Sequence, residues 1–151
     1  MAFRDLLHRL GSERVEARVN APRLSPNFRA NYLMNSRITG IDEADLLLLV
    51  GCNPRFEAPV LNARIRNAVE QFGMDVHVVG AAHHLTYEYT HLGTNLQVLK
   101  DIAEKNHPFS ELLQSSEMPM VIAGSHLFAR EDGESVEQLL HRIAVNSPLV
   151  N

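Results

Sequence analysis

The residues of this sequence that could bind a ligand follow its most apolar segment, 46–50. They are a glycine, a cysteine, an asparagine, a proline and an arginine: Gly51, Cys52, Asn53, Pro54 and Arg55. Backbone N–H groups where a helix begins after a strand can hold a phosphate, and Arg55 would add positive charge beside them. The segment matches neither a GxGxxG motif nor a Walker loop, so the simpler interpretation is that Gly51 lets the chain turn. No cofactor-binding residue is predicted; if a ligand does bind, the fallback set is Gly51, Asn53, Arg55 and Gly80.

Cys52 could also act as a nucleophile, since a cysteine at the start of a helix can have a lowered pKa. No partner base is recognisable in the sequence. We therefore interpret Cys52 as a small side chain packed in the interior. The sequence predicts no catalytic residue.

Three histidines, His83, His84 and His91, raise the question of a metal site. Adjacent residues of a strand point to opposite faces, and no cysteine or ordered carboxylate completes a set of ligands. A solvated loop is the better interpretation, and no metal ligand is predicted. Tyr87 and Tyr89 alternate with a polar residue, which indicates a half-buried edge rather than an aromatic recognition site.

Strands and helices alternate along the chain and would position these residues. Apolar runs that end at a glycine predict three buried strands: 46–50, 76–79 and 120–123. Apolar residues at helical spacing predict five helices: 2–10, 59–72, 94–105, 108–113 and 136–144. Residues 19–40 are predicted to be a mostly irregular connection. The first two strands and the helix between them have the length of a βαβ unit, whose crossover is right-handed.

This alternation predicts an α/β fold with a largely parallel sheet and flanking helices. In such sheets, ligands bind beyond the carboxyl ends of the strands, near the point where the strand order reverses. The loops expected there are 51–57, 80–89 and 124–130. Any site of this chain should therefore lie where these three loops meet.

Composition and charge limit the function classes. The 151 residues suit one domain, and the balance of 45% hydrophobic and 21% charged residues is typical of a globular protein. A net charge of −4 argues against a nucleic-acid partner, and the longest apolar run, 46–50, is too short to cross a bilayer. One cysteine excludes a disulfide within the chain and a cluster held by four of its own thiolates. The arginine-rich first thirty residues also contain three acids, so we interpret them as a folded surface helix rather than a targeting segment.

Several segments together resemble one family. They are 31–36, 41–45, 48–59, 61–66, 85–87 and 91–93. They closely resemble the large iron–sulfur subunit of respiratory complex I (NADH:ubiquinone oxidoreductase), within its C-terminal, molybdopterin-oxidoreductase-like domain. The resemblance covers most of the chain, from the 6–11 segment to about Arg130. The family usually has a threonine at the position of Cys52 and a different pair at His83 and His84.

The resemblance implies a Rossmann-like fold shared with molybdenum enzymes, although in complex I this domain holds no molybdenum cofactor. The iron–sulfur clusters of that subunit are ligated by cysteines of its N-terminal region, which has no counterpart here. We therefore expect 1–151 to be one partial domain, made as a separate polypeptide and stopping short of the family's usual terminus. The expected function is that of a non-catalytic structural fragment of the subunit. The alternative is a nucleotide- or pterin-binding oxidoreductase fragment that uses the fallback residues.

The same resemblance implies the partners and the location. The partners would be other segments of the large iron–sulfur subunit, which carry the clusters, and neighbouring complex I subunits. No nucleic acid and no direct membrane span are expected. The location would be the matrix side of the mitochondrial inner membrane, or the cytoplasmic face of a bacterial membrane.

Overall fold

Four parallel strands form the sheet at the centre of the computed structural model, which describes residues 2–12, 24, 25, 27 and 29–148. The strands are β1 (Leu46–Val50), β2 (Asp75–Val79), β3 (Thr90–Gly93) and β4 (Pro119–Ala123). Their order across the sheet is β3-β2-β1-β4, and each neighbouring pair is parallel. This topology confirms the predicted α/β class.

Helices flank the sheet in the described part of the chain. The α-helices are α1 (Ala2–Arg9), α2 (Pro54–Glu57), α3 (Pro59–Phe72), α4 (Leu96–Ala103), α5 (Phe109–Ser115) and α6 (Gly133–Val145). The 3-10 helices are Arg29–Asn31, Ile38–Asp42 and Ser125–Ala129. The five predicted helices are present, and β1, α3 and β2 form the predicted βαβ unit. The short helix α2 occupies a segment that the sequence pattern predicts as a turn. No helix in the described ranges is long and apolar enough to cross a membrane.

β1 is buried throughout because its five residues are all apolar and both of its faces are covered. Leu46, Leu48 and Val50 pack on one face with apolar residues of α4, α5 and α6. Leu47 and Leu49 pack on the other face with α3 and the 3-10 helix Ile38–Asp42. Burial on two faces explains the unbroken apolar run, which alternation would interrupt in a strand with one wet face.

β3 is a correction to the sequence analysis, which predicts three strands. Leu92 is its only large apolar residue, and Thr90 and His91 are exposed. A strand at the edge of a sheet with one neighbour buries little surface, so it lacks the apolar run that identifies β1. Tyr87 and Tyr89, which are predicted to lie at a half-buried edge, come just before this strand.

The segment before β1 attaches to helices on both faces of the sheet. Its residues 19–23, 26 and 28, part of the predicted irregular connection 19–40, lie outside the described residues. On one side, the carboxylate of Glu137 in α6 accepts hydrogen bonds from the Ser25 amide (3.2 Å) and from Asn31 Nδ2 (2.6 Å). On the other side, Arg64 of α3 forms an ion pair with Asp42. These polar contacts hold the segment against two layers of helices.

Candidate functional site

Glycines form a row at the carboxyl edge of the sheet. Each strand ends in a glycine or is followed by one: Gly93 for β3, Gly80 for β2, Gly51 for β1 and Gly124 for β4. Backbone hydrogen bonds continue the sheet into this row, from the Gly124 amide to the Val50 carbonyl (2.9 Å) and from the Gly51 amide to the Val79 carbonyl (2.8 Å). The three loops expected at this edge therefore do meet. The sequence analysis missed Gly93, since it missed β3.

Close approach of backbones explains the glycines at two of these positions. A Cβ on Gly124 would lie 2.2 Å from the carbonyl oxygen of Gly51, where no side chain fits. A Cβ on Gly80, whose φ is +135°, would lie 3.2 Å from the Gly51 Cα. The row thus permits tight packing of the chain against itself.

The crevice at which a ligand would be expected lies between the carboxyl ends of β1 and β4. The strand order reverses there, because the chain passes from β1 to β2 on one side while β4 lies on the other. Leu127 lies over Gly51 at this point: a Cβ on Gly51 would be 2.8 Å from both Leu127 methyl carbons. The Leu127 side chain is buried, and its amide bonds to the Gly124 carbonyl (3.1 Å), at the start of the 3-10 helix Ser125–Ala129. An apolar side chain therefore fills the space that a phosphate would need to reach Gly51.

Arg55 is engaged with a neighbouring loop. Its Nη1 donates to the His84 carbonyl oxygen at 2.9 Å and lies 2.9 Å from His84 Nδ1. The guanidinium carbon lies 5.9 Å from the ring centre of Phe56. Arg55 thus links the loop after β1 to the loop after β2 instead of standing beside a phosphate-binding turn.

Glu57 places a carboxylate at the start of α2, where an anion would have to bind. Its Oε1 accepts the Asn53 amide at 2.6 Å, and its own amide bonds to the Asn53 carbonyl at 2.9 Å. The Asn53 Oδ1 is buried and has no hydrogen-bond partner among the described residues. A carboxylate at this position repels a phosphate and already occupies the amide that would bind one.

Cys52 is buried, with only 7% of its surface exposed. Its Sγ lies 3.7 Å from the Ile122 carbonyl oxygen. Burial raises the pKa of Cys52 to about 12, with a further contribution from the negative charge of Glu57. The thiol is therefore neutral at pH 7, whereas a nucleophilic cysteine needs a lowered pKa. Cys52 acts here as a small packed side chain.

The loop after β2 is held by its own hydrogen bonds. The Tyr89 hydroxyl donates to the His83 carbonyl at 2.7 Å and accepts from the His83 amide at 3.0 Å. His91 Nε2 lies 2.7 Å from the Gly80 carbonyl oxygen. The Tyr87 hydroxyl donates to Asn62 Oδ1 at 3.1 Å, and burial raises the pKa of Tyr87. The described residues include no group of three or more histidine, cysteine or acidic side chains placed to hold a metal.

Comparison with known proteins shows the family. The family model of molybdopterin oxidoreductases matches residues 1–151. The chain belongs to the molybdopterin oxidoreductase family. This result confirms the resemblance found in the sequence.

Relatives in this family carry respiratory names. The chain is 39% identical over 150 residues to the NADH dehydrogenase (ubiquinone) iron-sulfur protein 1, mitochondrial, of Solanum tuberosum, and the match covers 99% of this chain and 20% of that protein. It is 37% identical to the NADH-ubiquinone oxidoreductase 75 kDa subunit of Reclinomonas americana, over 93% of this chain and 22% of the relative. It is also 37% identical to an NADH-quinone oxidoreductase subunit of Rickettsia conorii, over 93% of this chain and 21% of the relative. The chain spans about a fifth of the length of these relatives.

The family name implies a pterin cofactor, and the residues at the carboxyl edge do not fit one. Leu127 covers Gly51, Glu57 occupies the amide of Asn53, and Arg55 bonds to the neighbouring loop. Of the fallback residues, the structure brings Gly51 and Gly80 into contact but uses both for backbone packing. Sequence reasoning missed Leu127 and Glu57; the apolar Leu127-Phe128 pair inside a predicted loop was the one available signal.

Proposed function

We propose that this chain is a structural, non-catalytic part of the large iron–sulfur subunit of respiratory complex I, in the peripheral arm that passes electrons from NADH to ubiquinone. The similarity to relatives with that name extends over 93–99% of the chain, so it involves the whole fold rather than one motif. The observation that carries the non-catalytic role is the crevice between β1 and β4, which Leu127 fills.

The electron-carrying groups would belong to partner segments of the same subunit. The chain has one cysteine, and its thiol is buried beside the Ile122 carbonyl. A cluster held by four cysteine thiolates thus needs ligands from outside these 151 residues. The contribution of this chain would be buried surface that orients those segments and the neighbouring complex I subunits.

The proposed location is the matrix side of the mitochondrial inner membrane, with the cytoplasmic face of a bacterial membrane as the alternative. Support comes from the relatives, which include a mitochondrial protein and a protein of Rickettsia. Protease protection tests the matrix location. Residues of this chain should resist protease in intact mitochondria and become cleavable once the inner membrane is opened.

Purification of the complex from the source organism tests the proposal. A tag on this chain should co-purify a cluster-bearing segment of the large subunit in equal amount, in a particle that oxidises NADH. Mass spectrometry of the intact chains should show that the segments together match one conventional subunit. Recovery of the tagged chain only as a free protein, away from the NADH-oxidising particle, would contradict the proposal.

Ligand assays test the non-catalytic part separately. The purified chain is titrated with ATP and NADH, and its extract is analysed for oxidised pterin by fluorescence. The filled crevice predicts no saturable nucleotide binding and no pterin. Stoichiometric pterin would instead support the alternative of an oxidoreductase fragment.

A further inference from the structure

The segment 29–41, which precedes β1, presents apolar side chains to solvent. Its residues 32–39 are exposed without interruption. Four of them are large and apolar, and we call them the apolar patch: Tyr32, Leu33, Met34 and Ile38. Tyr32 is 59% exposed and Ile38 is 57% exposed. Single exposed apolar residues are normal in soluble proteins, whereas several together mark an interaction surface.

Contacts on both sides hold the apolar patch against the fold. The hydrogen bond from Asn31 to Glu137 of α6 comes before most of its residues, and the ion pair of Asp42 with Arg64 of α3 comes after them. Backbone hydrogen bonds close successive turns between these two contacts. A partner that binds the apolar patch therefore does not have to order the segment first, which favours binding.

The charges beside the apolar patch are all positive. Arg29 and Arg37 are the only charged residues of the segment, in a chain whose net charge is −4. Both are exposed, and neither forms an ion pair with a described residue, whereas Arg64, Arg66 and Arg130 each pair with a carboxylate. Arginine binds carboxylates through parallel hydrogen bonds. The charge of this surface therefore complements an acidic partner.

The backbone of Arg37 is strained. Its φ is +61° and its ψ is 169°, a combination that is essentially restricted to glycine. The Arg37 side chain makes no hydrogen bond or ion pair with the described residues, so their contacts do not account for an arginine at this position. Residues with such strain concentrate at sites that bind a ligand or partner.

Two arginines suit a protein partner better than a membrane surface. Recognition of anionic lipids typically takes a cluster of about 4–8 basic residues, which the segment does not have. An acidic protein segment needs only one carboxylate for each guanidinium.

We infer that the apolar patch, together with Arg29 and Arg37, binds an amphipathic acidic protein segment. Apolar side chains of that segment would cover the patch, and its aspartate or glutamate side chains would pair with the two arginines. This inference rests on the proposed function, in which other segments of complex I lie against this chain.

Arg37→Gly separates binding from folding, because glycine adopts the backbone conformation of this position without strain. The purified variant should be no less stable than wild type in urea unfolding. The amount of it retained in the complex from the source organism should nevertheless fall about tenfold. Arg37→Lys keeps the charge but loses the planar donor group, so its retention should lie between those of wild type and Arg37→Gly.

Further surface variants extend the test to the rest of the surface. Arg29→Glu and Leu33→Asp should each lower retention in the complex about tenfold. Arg142→Glu is the matched charge control, since Arg142 lies exposed on α6 without an ion pair among the described residues. Phe72→Asp is the apolar control, since Phe72 is 62% exposed at the end of α3. Both controls should stay within about twofold of wild type, and circular dichroism of each purified variant checks that it folds.

Photo-cross-linking identifies the chemistry of the partner. Within the complex, a photoreactive amino acid at position 33 should cross-link to a peptide that contains aspartate or glutamate beside apolar residues. The same amino acid at position 72 should not capture that peptide. Capture from position 33 of a peptide without acidic residues, or of a second copy of this chain, would overturn the inference.

Flotation with lipid vesicles tests the membrane alternative. Vesicles of phosphatidylserine and phosphatidylcholine should not carry the purified chain upward in a density gradient. Flotation of wild type that is lost in Arg37→Glu would overturn the inference in favour of a lipid surface. Retention of Arg37→Gly, Arg29→Glu and Leu33→Asp at the control level, with wild type in the complex, would overturn the inference and leave the proposed function standing. Absence of the wild-type chain from the complex would overturn both.

Discussion

The carboxyl edge of the sheet and the outer edge of β4 differ in how far the chain completes itself. At the carboxyl edge, backbones meet at the glycine row, Leu127 fills the crevice, and Glu57 takes the nearest amide. At the β4 edge, apolar side chains are half-covered and two amides have no partner within the described residues. The end of the sheet where related folds bind ligands is thus closed, and the side where strands add is open. This difference favours a protein that works by association.

Gly124→Ala should have the largest effect on stability. Its Cβ would lie 2.2 Å from the Gly51 carbonyl oxygen. The Gly124 Cα and the Gly51 carbonyl both belong to the backbone at the edge of the sheet, so they cannot move apart without disturbing the sheet. We expect a loss of about 4 kcal/mol in the free energy of unfolding, measured in urea. Gly73→Ala is the control: φ is +72° there, and a Cβ would meet no atom of the described residues within 4 Å apart from its chain neighbours, so strain alone should cost about 1 kcal/mol. Equal losses for the two variants would show that the carboxyl edge is not tightly closed.

Leu127→Ala should have the next largest effect. Removing this buried side chain leaves a cavity over Gly51, and such changes cost about 3 kcal/mol. Leu112→Ala, at a residue that is 38% exposed, should cost less than about 1 kcal/mol. The variant also tests the crevice directly. If ATP bound saturably to Leu127→Ala but not to wild type, Leu127 alone would block a nucleotide-binding site. The interpretation of the carboxyl edge as a packing surface would then be wrong.

Cys52 should make the protein less stable at alkaline pH. The native thiol keeps its proton to about pH 12, whereas the unfolded thiol loses it near the ordinary value of 9.0. Because the unfolded state then binds fewer protons, the stabilisation is complete below pH 9 and is lost as the pH rises from 9 towards 12, by about 1.4 kcal/mol per pH unit. Urea unfolding of wild type and Cys52→Ala from about pH 8 to about pH 10.5, a range that spans the titration of the unfolded thiol, measures this. The difference between the two proteins should change with pH in that sense; a constant difference would mean that Cys52 is accessible.

The sequence is sufficient for the elements whose surroundings are simple. β1 is predicted to the residue, since five successive apolar residues between Asp45 and Gly51 are typical of a short strand covered on both faces. The end of α3 at Gly73 follows from the left-handed conformation that glycine permits. β3 is missed because its residues reflect an edge environment, which depends on where the strand lies in the sheet and not on local pattern.

The closed state of the carboxyl edge could not be predicted in the same way. Sequence reasoning brings the loops after β1 and β4 together, but it does not place the Leu127 side chain over Gly51, since residues so far apart in the chain share no local pattern. The same holds for Arg55, a candidate phosphate ligand by its position that contacts His84 instead. Motif reasoning identifies which groups could bind a ligand, and tertiary packing decides whether they are available.

Arg55→Ala should have the smallest effect and separates the two interpretations of the carboxyl edge. The guanidinium is exposed, so the loss of its hydrogen bonds to His84 should cost about 0.5 kcal/mol in urea unfolding. Arg55→Lys keeps the charge but not the planar donor group, and it should behave like the alanine variant. In a packed, ligand-free edge, neither variant changes retention in the complex. A phosphate site would give the opposite pattern: almost no change in stability, and a nucleotide affinity that falls strongly in Arg55→Ala and less in Arg55→Lys.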